Sequence, residues 1–372
     1  MARLGDIATY VNGFAFKPSD WSNEGLPIIR IQDLTGNSYQ ANRYNGSYHP
    51  KYEVNDGDVL ISWSASLGVY VWKGEKAVLN QHIFKVVFDK SEVDKNFFVH
   101  QVQNILENAA SEAHGATMKH LTKPVFDALP FYLPSIEKQK EIASVLDKVT
   151  ELIALRKEQL AKLDQLVKSR FIELFGTEAE LDRWSCCTIG DVANVCVGVV
   201  IKPTQYYTDK GVPAFRSLNI GEMHVKDADW VYFTEEGHQK NQKSVIRKND
   251  VLVVRSGAPG TACVATEKYE GYNAVDIIIA HPDNSKVNSV FLAAYTNMPH
   301  GMTQIREKTG GAAQQHFNVG GYKAMRLIIP PMELQEQFAT FVEQTDKSKL
   351  AIQQSLEKLE MLKKALMQKY FG

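Results

Sequence analysis

The chain carries the same ordered set of short motifs twice, and this repeat constrains its fold more than any other feature. Residues 4–8 (LGDIA) match residues 189–193 (IGDVA), and residues 58–61 (DVLI) match residues 250–253 (DVLV). The dipeptide Phe-Gly closes each copy. Because the motifs recur in the same order over nearly the whole length, the sequence predicts one structural unit used twice, in the order A-B-A′-B′.

The A segments have the pattern of mixed α+β domains. Short apolar runs at residues 27–31 and 59–63, bounded by glycine, proline, asparagine and aspartate, predict strands. Helical patterns near the end of each copy predict helices at residues 99–113 and 290–307. Each copy then closes with a strand that runs into proline, at residues 129–134 and 325–331.

The B segments predict two long helices with a coiled-coil seam, because apolar residues recur at alternating steps of three and four. A helix of about forty residues spans roughly 55–60 Å, and its apolar stripe needs a partner. With A′ between the two helices, an antiparallel pairing with an approximate two-fold axis is expected. The predicted seam positions are Leu146, Val149, Ile153, Arg156, Leu160, Leu163, Val167, Arg170 and Leu174, with Val342, Thr345, Lys349, Ile352, Leu356, Leu359, Lys363, Leu366 and Tyr370.

The composition indicates a globular protein with several domains. The 372 residues are 44% hydrophobic, and no run of about eighteen apolar residues predicts a membrane span. The four cysteines do not follow disulfide or zinc spacing, which favours reduced thiols in a cytoplasmic protein without a secretory signal. A net charge of −1 does not by itself indicate nucleic acid binding. Any basic surface must therefore come from an uneven placement of charges on part of the protein.

The sequence lacks the motifs of common enzymes. Residues 257–261 (GAPGT) are glycine-rich but have no Lys-Ser/Thr of a phosphate-binding loop, and no H-E-x-x-H metal motif occurs. His120 and His316 recur at matching positions, but a structural histidine is more common than a catalytic one, so we expect a structural role over catalysis. We therefore predict no catalytic and no metal-binding residue, and the pattern favours a binding protein.

The repeat and the lead into each long helix together resemble a known family. Residues 134–139 (PSIEKQ) and 330–335 (PPMELQ) share Pro-x-x-Glu-x-Gln, and each copy begins with Leu/Ile-Gly-Asp-Ile/Val. With the A-B-A′-B′ order, this resembles the specificity subunit of a type I restriction–modification system over the whole chain. The resemblance implies an α+β fold with two target-recognition domains, residues 1–134 and 177–331, joined by an antiparallel coiled coil of residues 135–176 and 332–372.

The resemblance also implies a function and its partners. Each target-recognition domain would recognise one half of a split site in double-stranded DNA, and the helices would set the spacing and dock methyltransferase subunits. Restriction subunits would complete a cytoplasmic bacterial or archaeal complex for defence against foreign DNA. S-adenosylmethionine, ATP and Mg would belong to those partners, with no cofactor in this chain and no membrane association.

Candidate DNA contacts combine arginine, lysine, amide and aromatic side chains, because arginine pairs well with guanine and amides pair well with adenine. Arg30 and Arg216 occupy matching positions, which suits a shared scaffold or phosphate contact. Trp63 and Arg255 differ at matching positions, which suits sequence discrimination. The candidates are Lys17, Arg30, Gln32, Trp63, Lys119 and His120 in the first copy, and Lys202, Arg216, Asn219, Arg255, Gln314, Gln315 and His316 in the second.

Two other classes of function are compatible with the sequence. Near-neutral charge permits a coiled-coil scaffold whose globular heads bind protein. A divergent hydrolase hidden in the A segments is the third hypothesis. Salt-dependent DNA binding would separate the first hypothesis from the scaffold, and metal-dependent cleavage by the isolated chain would support the hydrolase.

Overall fold

The computed structural model describes residues 1–36, 42–64, 66–112, 122–309 and 316–372, with the side chains of 110–112 left out. The chain divides into two compact units. Unit 1 comprises Met1–Lys157 and Gln354–Gly372, and unit 2 comprises Glu158–Gln353. The boundary between the units falls within each of the two long helices, so each unit contains part of both helices.

The first copy of the repeat alternates short strands with short helices before the first long helix. It begins with β1 (Ala2–Arg3), α1 (Leu4–Ile7), β2 (Thr9–Asn12), β3 (Leu26–Ile29), α2 (Ile31–Leu34), β4 (Arg43–Tyr44) and β5 (Glu53–Val54). It continues with β6 (Val59–Ser62), β7 (Gly68–Val71), β8 (Ala77–Leu79), β9 (Ile83–Val87), α3 (Lys95–Glu112), α4 (Lys123–Asp127), β10 (Pro130–Phe131) and α5 (Ile136–Phe175).

The second copy follows a similar order, with some elements added and others absent. It begins with β11 (Ser185–Thr188), α6 (Ile189–Val192), β12 (Ala193–Val197), β13 (Tyr207–Thr208), β14 (Val212–Phe215), β15 (Val231–Phe233), α7 (Glu235–Lys240), β16 (Val251–Val254) and β17 (Ala262–Val264). It continues with β18 (Asn273–Ala274), β19 (Ile277–Pro282), α8 (Ser289–Asn297), α9 (Pro299–Thr309), α10 (Val319–Lys323), β20 (Arg326–Ile329) and α11 (Met332–Phe371).

Two four-stranded sheets form the globular part of each unit, and one of them is built identically in both. Its strand order is β2-β9-β6-β7 in unit 1 and β12-β19-β16-β17 in unit 2, with antiparallel neighbours throughout. The other sheet differs at its edges, with the order β4-β3-β8-β5 in unit 1 and β13-β15-β14-β18 in unit 2. The repeat therefore keeps one framework sheet and varies the other.

The Gly-Asp motif at the start of each copy stabilises a one-turn helix. The Asp6 carboxylate accepts the Arg3 amide at 3.0 Å, and the Asp191 carboxylate accepts the Thr188 amide at 2.8 Å. Each aspartate thus satisfies a backbone N–H that a helix start would leave unpaired. A side chain at Gly5 would come within 3.1 Å of Asp127 on α4, which explains a glycine there.

The buried glutamine of the Pro-x-x-Glu-x-Gln motif joins each long helix to the globular part of the same copy. The Gln139 side chain donates to the Pro134 carbonyl at 2.9 Å and accepts the Asp94 amide at 2.8 Å. Gln335 donates to Pro330 at 2.8 Å and accepts the Asn288 amide at 2.9 Å. Both glutamines are almost fully buried. Each binds its own helix lead-in on one side and the globular part on the other, and we call this arrangement the clamp.

In unit 1, residues 136–157 of α5 pair with residues 354–371 of α11 in antiparallel fashion. Leu146 and Met367 share one hydrophobic core, whereas Arg156 donates to the Ser355 hydroxyl at 3.2 Å. The closing phenylalanine, Phe371, packs on Phe97 of α3 with ring centroids 5.5 Å apart. The repeated Phe-Gly therefore anchors the end of the long helix on a globular core.

Unit 2 repeats this arrangement with residues 158–175 of α5 and 332–353 of α11. Lys349 forms an ion pair with Asp164 at 2.7 Å, and Phe171 packs on Phe338 with ring centroids 5.4 Å apart. Phe175, the equivalent of Phe371, packs on Phe291 at 4.8 Å. Every predicted seam position of both helices is buried or half-buried, and the polar members Arg156 and Lys349 contact the facing helix.

Two predicted elements were wrong in detail. The helix expected at residues 290–307 is two helices, because Pro299 lacks the N–H that would continue α8 and holds Met298 in an extended conformation. The strand expected at residues 27–31 ends at Ile29, and Arg30 caps α2 because its amide is accepted by Asp33 at 2.8 Å.

We expect Gln335→Ala to lower the free energy of unfolding by about 1–3 kcal/mol, because the Asn288 N–H and the Pro330 carbonyl lose their buried partner. Urea-induced unfolding followed by circular dichroism measures this change. Gln337→Ala, at an exposed position of the same helix, is the matched control and should shift stability by less than about 0.5 kcal/mol. Equal effects of the two variants would contradict the clamp.

Candidate nucleic-acid interface

A matched glycine in each unit turns the chain from the framework sheet into a loop that carries a lysine. The Gly13 amide donates to the Ile83 carbonyl at 3.1 Å, and the Gly198 amide donates to Ile277 at 2.9 Å. A side chain at Gly198 would come within 2.6 Å of the Ala274 backbone, so the close approach requires glycine. The loops that follow lie at equivalent places in the two units.

The lysines predicted as contacts, Lys17 and Lys202, are exposed on these loops. Each precedes a proline that starts a short 3-10 helix, at Pro18–Asp20 and Pro203–Tyr206. Lys202 has a φ of 42°, in the left-handed region. Because proline fixes φ directly after each lysine, the backbone that carries the two exposed lysines has a defined direction.

Arg30 and Gln32 lie together in unit 1. The Arg30 guanidinium is 3.4 Å from Asp33 and 5.9 Å from the centre of the Trp21 ring. In the amide orientation that satisfies both of its polar atoms, the Gln32 oxygen accepts from Arg30 at 2.7 Å. The structure thus brings two predicted contact residues into one cluster beside the exposed Trp21.

The matching cluster in unit 2 is organised differently. Arg216 donates to the Asp229 carbonyl at 2.5 Å. Asn219 is fully buried, accepts the Arg216 amide at 2.9 Å and donates to the Ala228 carbonyl at 2.7 Å. These bonds give Asn219 a structural role in its loop, and its burial argues against direct contact with a base.

Trp63 and Arg255 directly follow the equivalent strands β6 and β16, and each faces a residue that the sequence analysis missed. Trp63 packs edge-on against His82 with centroids 5.0 Å apart and stacks on Phe84 at 5.6 Å. Arg255 forms an ion pair with Asp276 at 2.5 Å and donates to the Phe317 carbonyl at 3.1 Å. An aromatic pair in unit 1 thus becomes an ion pair in unit 2.

His82 and Asp276 are themselves equivalent, because each directly precedes the matching strand β9 or β19. Both have a left-handed backbone, with φ of 71° and 49°. Residues other than glycine rarely adopt this conformation, so each position is held by its surroundings. The signal that could have identified them is their shared place directly before a matched strand.

The remaining candidates lie near the ends of the helical segments. The His316 imidazole is 2.7 Å from the Ser256 hydroxyl and is exposed. Ser256 follows Arg255, so His316 belongs to the same surface as the Arg255–Asp276 pair. The other predicted residues of this group lie outside the described residues: Lys119, His120, Gln314 and Gln315.

The clusters combine cationic, amide and aromatic groups on loops above a rigid sheet. Such groups can hold phosphates through charge and contact base edges through paired hydrogen bonds. Across the described residues, no group of three or more histidine, cysteine or acidic side chains is placed to hold a metal ion. Within the same ranges, none of the helices has the length and apolar character needed to span a bilayer.

Comparison with known proteins identifies the sequence family. A family model for the type I restriction modification DNA specificity domain matches residues 1–165 and 182–361. The type I restriction enzyme EcoBI specificity subunit of Escherichia coli is 25% identical over 404 aligned positions, which cover 99% of this chain and 84% of that protein. The StySPI specificity subunit of Salmonella potsdam is 21% identical, with coverage of 100% and 88%.

Solved structures share the fold. The S subunit of a type I restriction-modification system from M. genitalium aligns with a TM-score of 0.58 at 15% identity, covering 100% of this chain and 95% of that one. A chain from a study of complex assembly and conformational transition of the type I R-M system aligns with a TM-score of 0.55 at 16% identity, covering 100% and 96%. The predicted fold class is confirmed by these neighbours.

We expect a double-mutant cycle with Arg255→Met and Asp276→Asn to give a coupling energy of at least about 1 kcal/mol, because the Arg255 side chain is only 15% exposed. The exposed pair Lys248–Glu267, with side chains 54% and 78% exposed, is the control and should give less than about 0.5 kcal/mol. Urea unfolding of the four proteins of each cycle measures both values. A coupling near zero for Arg255 and Asp276 would contradict a structural pair.

Proposed function

The chain belongs to the type I restriction–modification DNA specificity family, and from this premise we propose that it recognises double-stranded DNA for methyltransferase and restriction subunits. Each unit recognises one half of a bipartite site. The observation that carries the proposal is the exchange of Trp63 and His82 for Arg255 and Asp276 at equivalent positions of one framework. Two domains that recognise different half-sites need a shared framework and different side chains on its surface, and the two units have both.

The chemistry of the exchanged groups supports direct recognition of bases. The contacts of Arg255 to Asp276 and Phe317 use Nε and one terminal nitrogen of its guanidinium. A guanidinium has five N–H donors in a planar fork, so donors remain for a guanine edge or a phosphate. Trp63 offers a ring instead, which suits packing against a thymine methyl group or sugar. The two units would then prefer different bases.

The paired helices are proposed to set the spacing of the half-sites and to dock the methyltransferase subunits. Apolar side chains outside the seam are exposed on both helices, which is unfavourable in water unless a partner covers them. One of the solved relatives comes from a study of complex assembly in a type I system, which supports this role. The exposed residues are Leu152, Leu155, Leu166, Ile172, Leu350, Met361 and Leu362.

The chain itself is proposed to be non-catalytic. S-adenosylmethionine, ATP and Mg would be bound by the methyltransferase and restriction subunits, which would carry out methylation and cleavage. The grouping of arginine, amide and aromatic side chains on loops supports recognition rather than group transfer. A methylation assay of the partner subunits with and without this chain tests this proposal. Without this chain, the partner subunits should methylate DNA with no sequence preference.

We expect the complex with the methyltransferase subunits to bind its DNA site with an affinity that falls at least about tenfold between roughly 50 and 200 mM salt. Fluorescence anisotropy over a salt series measures this fall. In the same complex, Arg255→Ala should relax base preference in one half-site only, as mapped by single-molecule sequencing of methylated DNA. Arg247→Ala, an exposed arginine of the same unit, is the control. Salt-independent binding or unchanged preference would oppose the proposal.

Leu362→Asp tests the docking role. Leu362 is 46% exposed, so the variant should fold normally while its association with methyltransferase subunits weakens by about tenfold or more. Size-exclusion chromatography and titration calorimetry measure the association. Gln354→Asp adds the same charge at an exposed polar position of the same helix and should bind normally. If the Leu362→Asp variant assembles normally, this part of α11 does not belong to the docking surface.

A further inference from the structure

Three side chains of unit 2 form a series that DNA recognition does not explain. The Cys196 sulfur on β12 is 3.7 Å from Nε2 of His281, and Nδ1 of the same ring is 2.6 Å from the Asp250 carboxylate. Adjacent antiparallel strands hold the first two groups, since β12 pairs with β19. The imidazole lies between the thiol and the carboxylate, which is the order found around activated cysteines.

We propose that Cys196 is a nucleophilic thiol, activated by His281 and Asp250, that undergoes thiol–disulfide exchange with small disulfides. The Cys196 thiol releases its proton to solvent, and the thiolate beside the His281 imidazolium attacks one sulfur of the disulfide. A new S–S bond forms and the original S–S bond breaks. The departing sulfur leaves as a thiolate and takes a proton from solvent. Cys196 is oxidised to a mixed disulfide, and the small disulfide is reduced to one free thiol and the group attached to the protein.

The surroundings of His281 favour its cationic form. Hydrogen bonds to the Asp250 carboxylate and to the Cys196 sulfur raise the pKa of His281 to about 9. An imidazolium beside a sulfur stabilises negative charge on it, and the anionic form of a thiol is the reactive one. The Asp250 side chain is 3% exposed, so the imidazole has a buried carboxylate as its partner.

Comparison with unit 1 separates this arrangement from the needs of the fold. Asp58, the equivalent of Asp250, accepts the Asn55 amide at 2.9 Å, just as Asp250 accepts the Arg247 amide at 2.7 Å. The turn therefore requires the aspartate in both copies. The position of Cys196 is Val11 in unit 1, where the same strand forms without a thiol. The thiol and the imidazole are additions of the second copy.

The partial exposure of Cys196 and the lack of support for a metal site among the described residues also favour a reactive thiol. Cys196 is partly exposed, and its thiol donates to the Lys243 carbonyl at 3.3 Å. The three groups lie in series and do not converge on one point, and the part of the chain that the structure describes holds no cluster suited to a metal ion. Cys263 contrasts with Cys196, because full burial raises its pKa to about 12.

The test incubates the 372-residue chain with glutathione disulfide at neutral pH and follows each cysteine by mass spectrometry of tryptic peptides. Cys196 should form its mixed disulfide at least about tenfold faster than the exposed Cys186. It should also react faster in the folded chain than in urea, whereas Cys263 should react only in urea. His281→Gln should slow Cys196 about tenfold and leave Cys186 within about twofold.

Two results would overturn the proposal. One is a Cys196 rate in the folded chain equal to or below its rate in urea, a comparison that needs no variant. The other is a His281→Gln chain that folds by circular dichroism and reacts at Cys196 as fast as the parent chain. Cys196→Val, which installs the residue of unit 1, identifies the modified peptide by its loss.

Discussion

A forty-residue helix with an apolar stripe cannot remain alone in water, and this constraint organises the chain. Each long helix satisfies it by packing against part of the other within each compact unit. Polar seam positions do not interrupt the packing, because Arg156 and Lys349 reach polar partners on the facing helix. The ends of the helices then anchor on the globular cores through Phe175 and Phe371.

The sequence alone allowed much of this architecture to be predicted, because helix periodicity and a repeat are local or countable signals. Both long helices, the two mixed domains and the family followed from them. The break at Pro299 was missed because an apolar pattern continued across it. His82 and Asp276 were missed because their partners are distant in sequence. Only the pairing of β9 with β6, and of β19 with β16, brings them beside Trp63 and Arg255. The sequence did not indicate the burial of Asn219, because its side chain donates to the Ala228 carbonyl nine residues further along the chain.

The division between a constant sheet and a variable one gives a physical account of how one fold can serve two targets. The sheet of β2, β9, β6 and β7 carries the buried contacts that stabilise unit 1, and its counterpart does the same for unit 2. Substitutions at its loops change exposed groups while the core stays packed. The paired exchange at Trp63 and His82 shows that such changes occur together when two side chains touch.

The composition of the units sets an order of events during synthesis. Unit 2 is one continuous stretch, Glu158–Gln353, so all of its residues are synthesised before residues 354–372. Unit 1 needs those last residues to cover the core around Leu146 and Phe97. The unit whose synthesis begins first is therefore the last to complete its core. Until then its apolar surface is exposed and can be bound by chaperones.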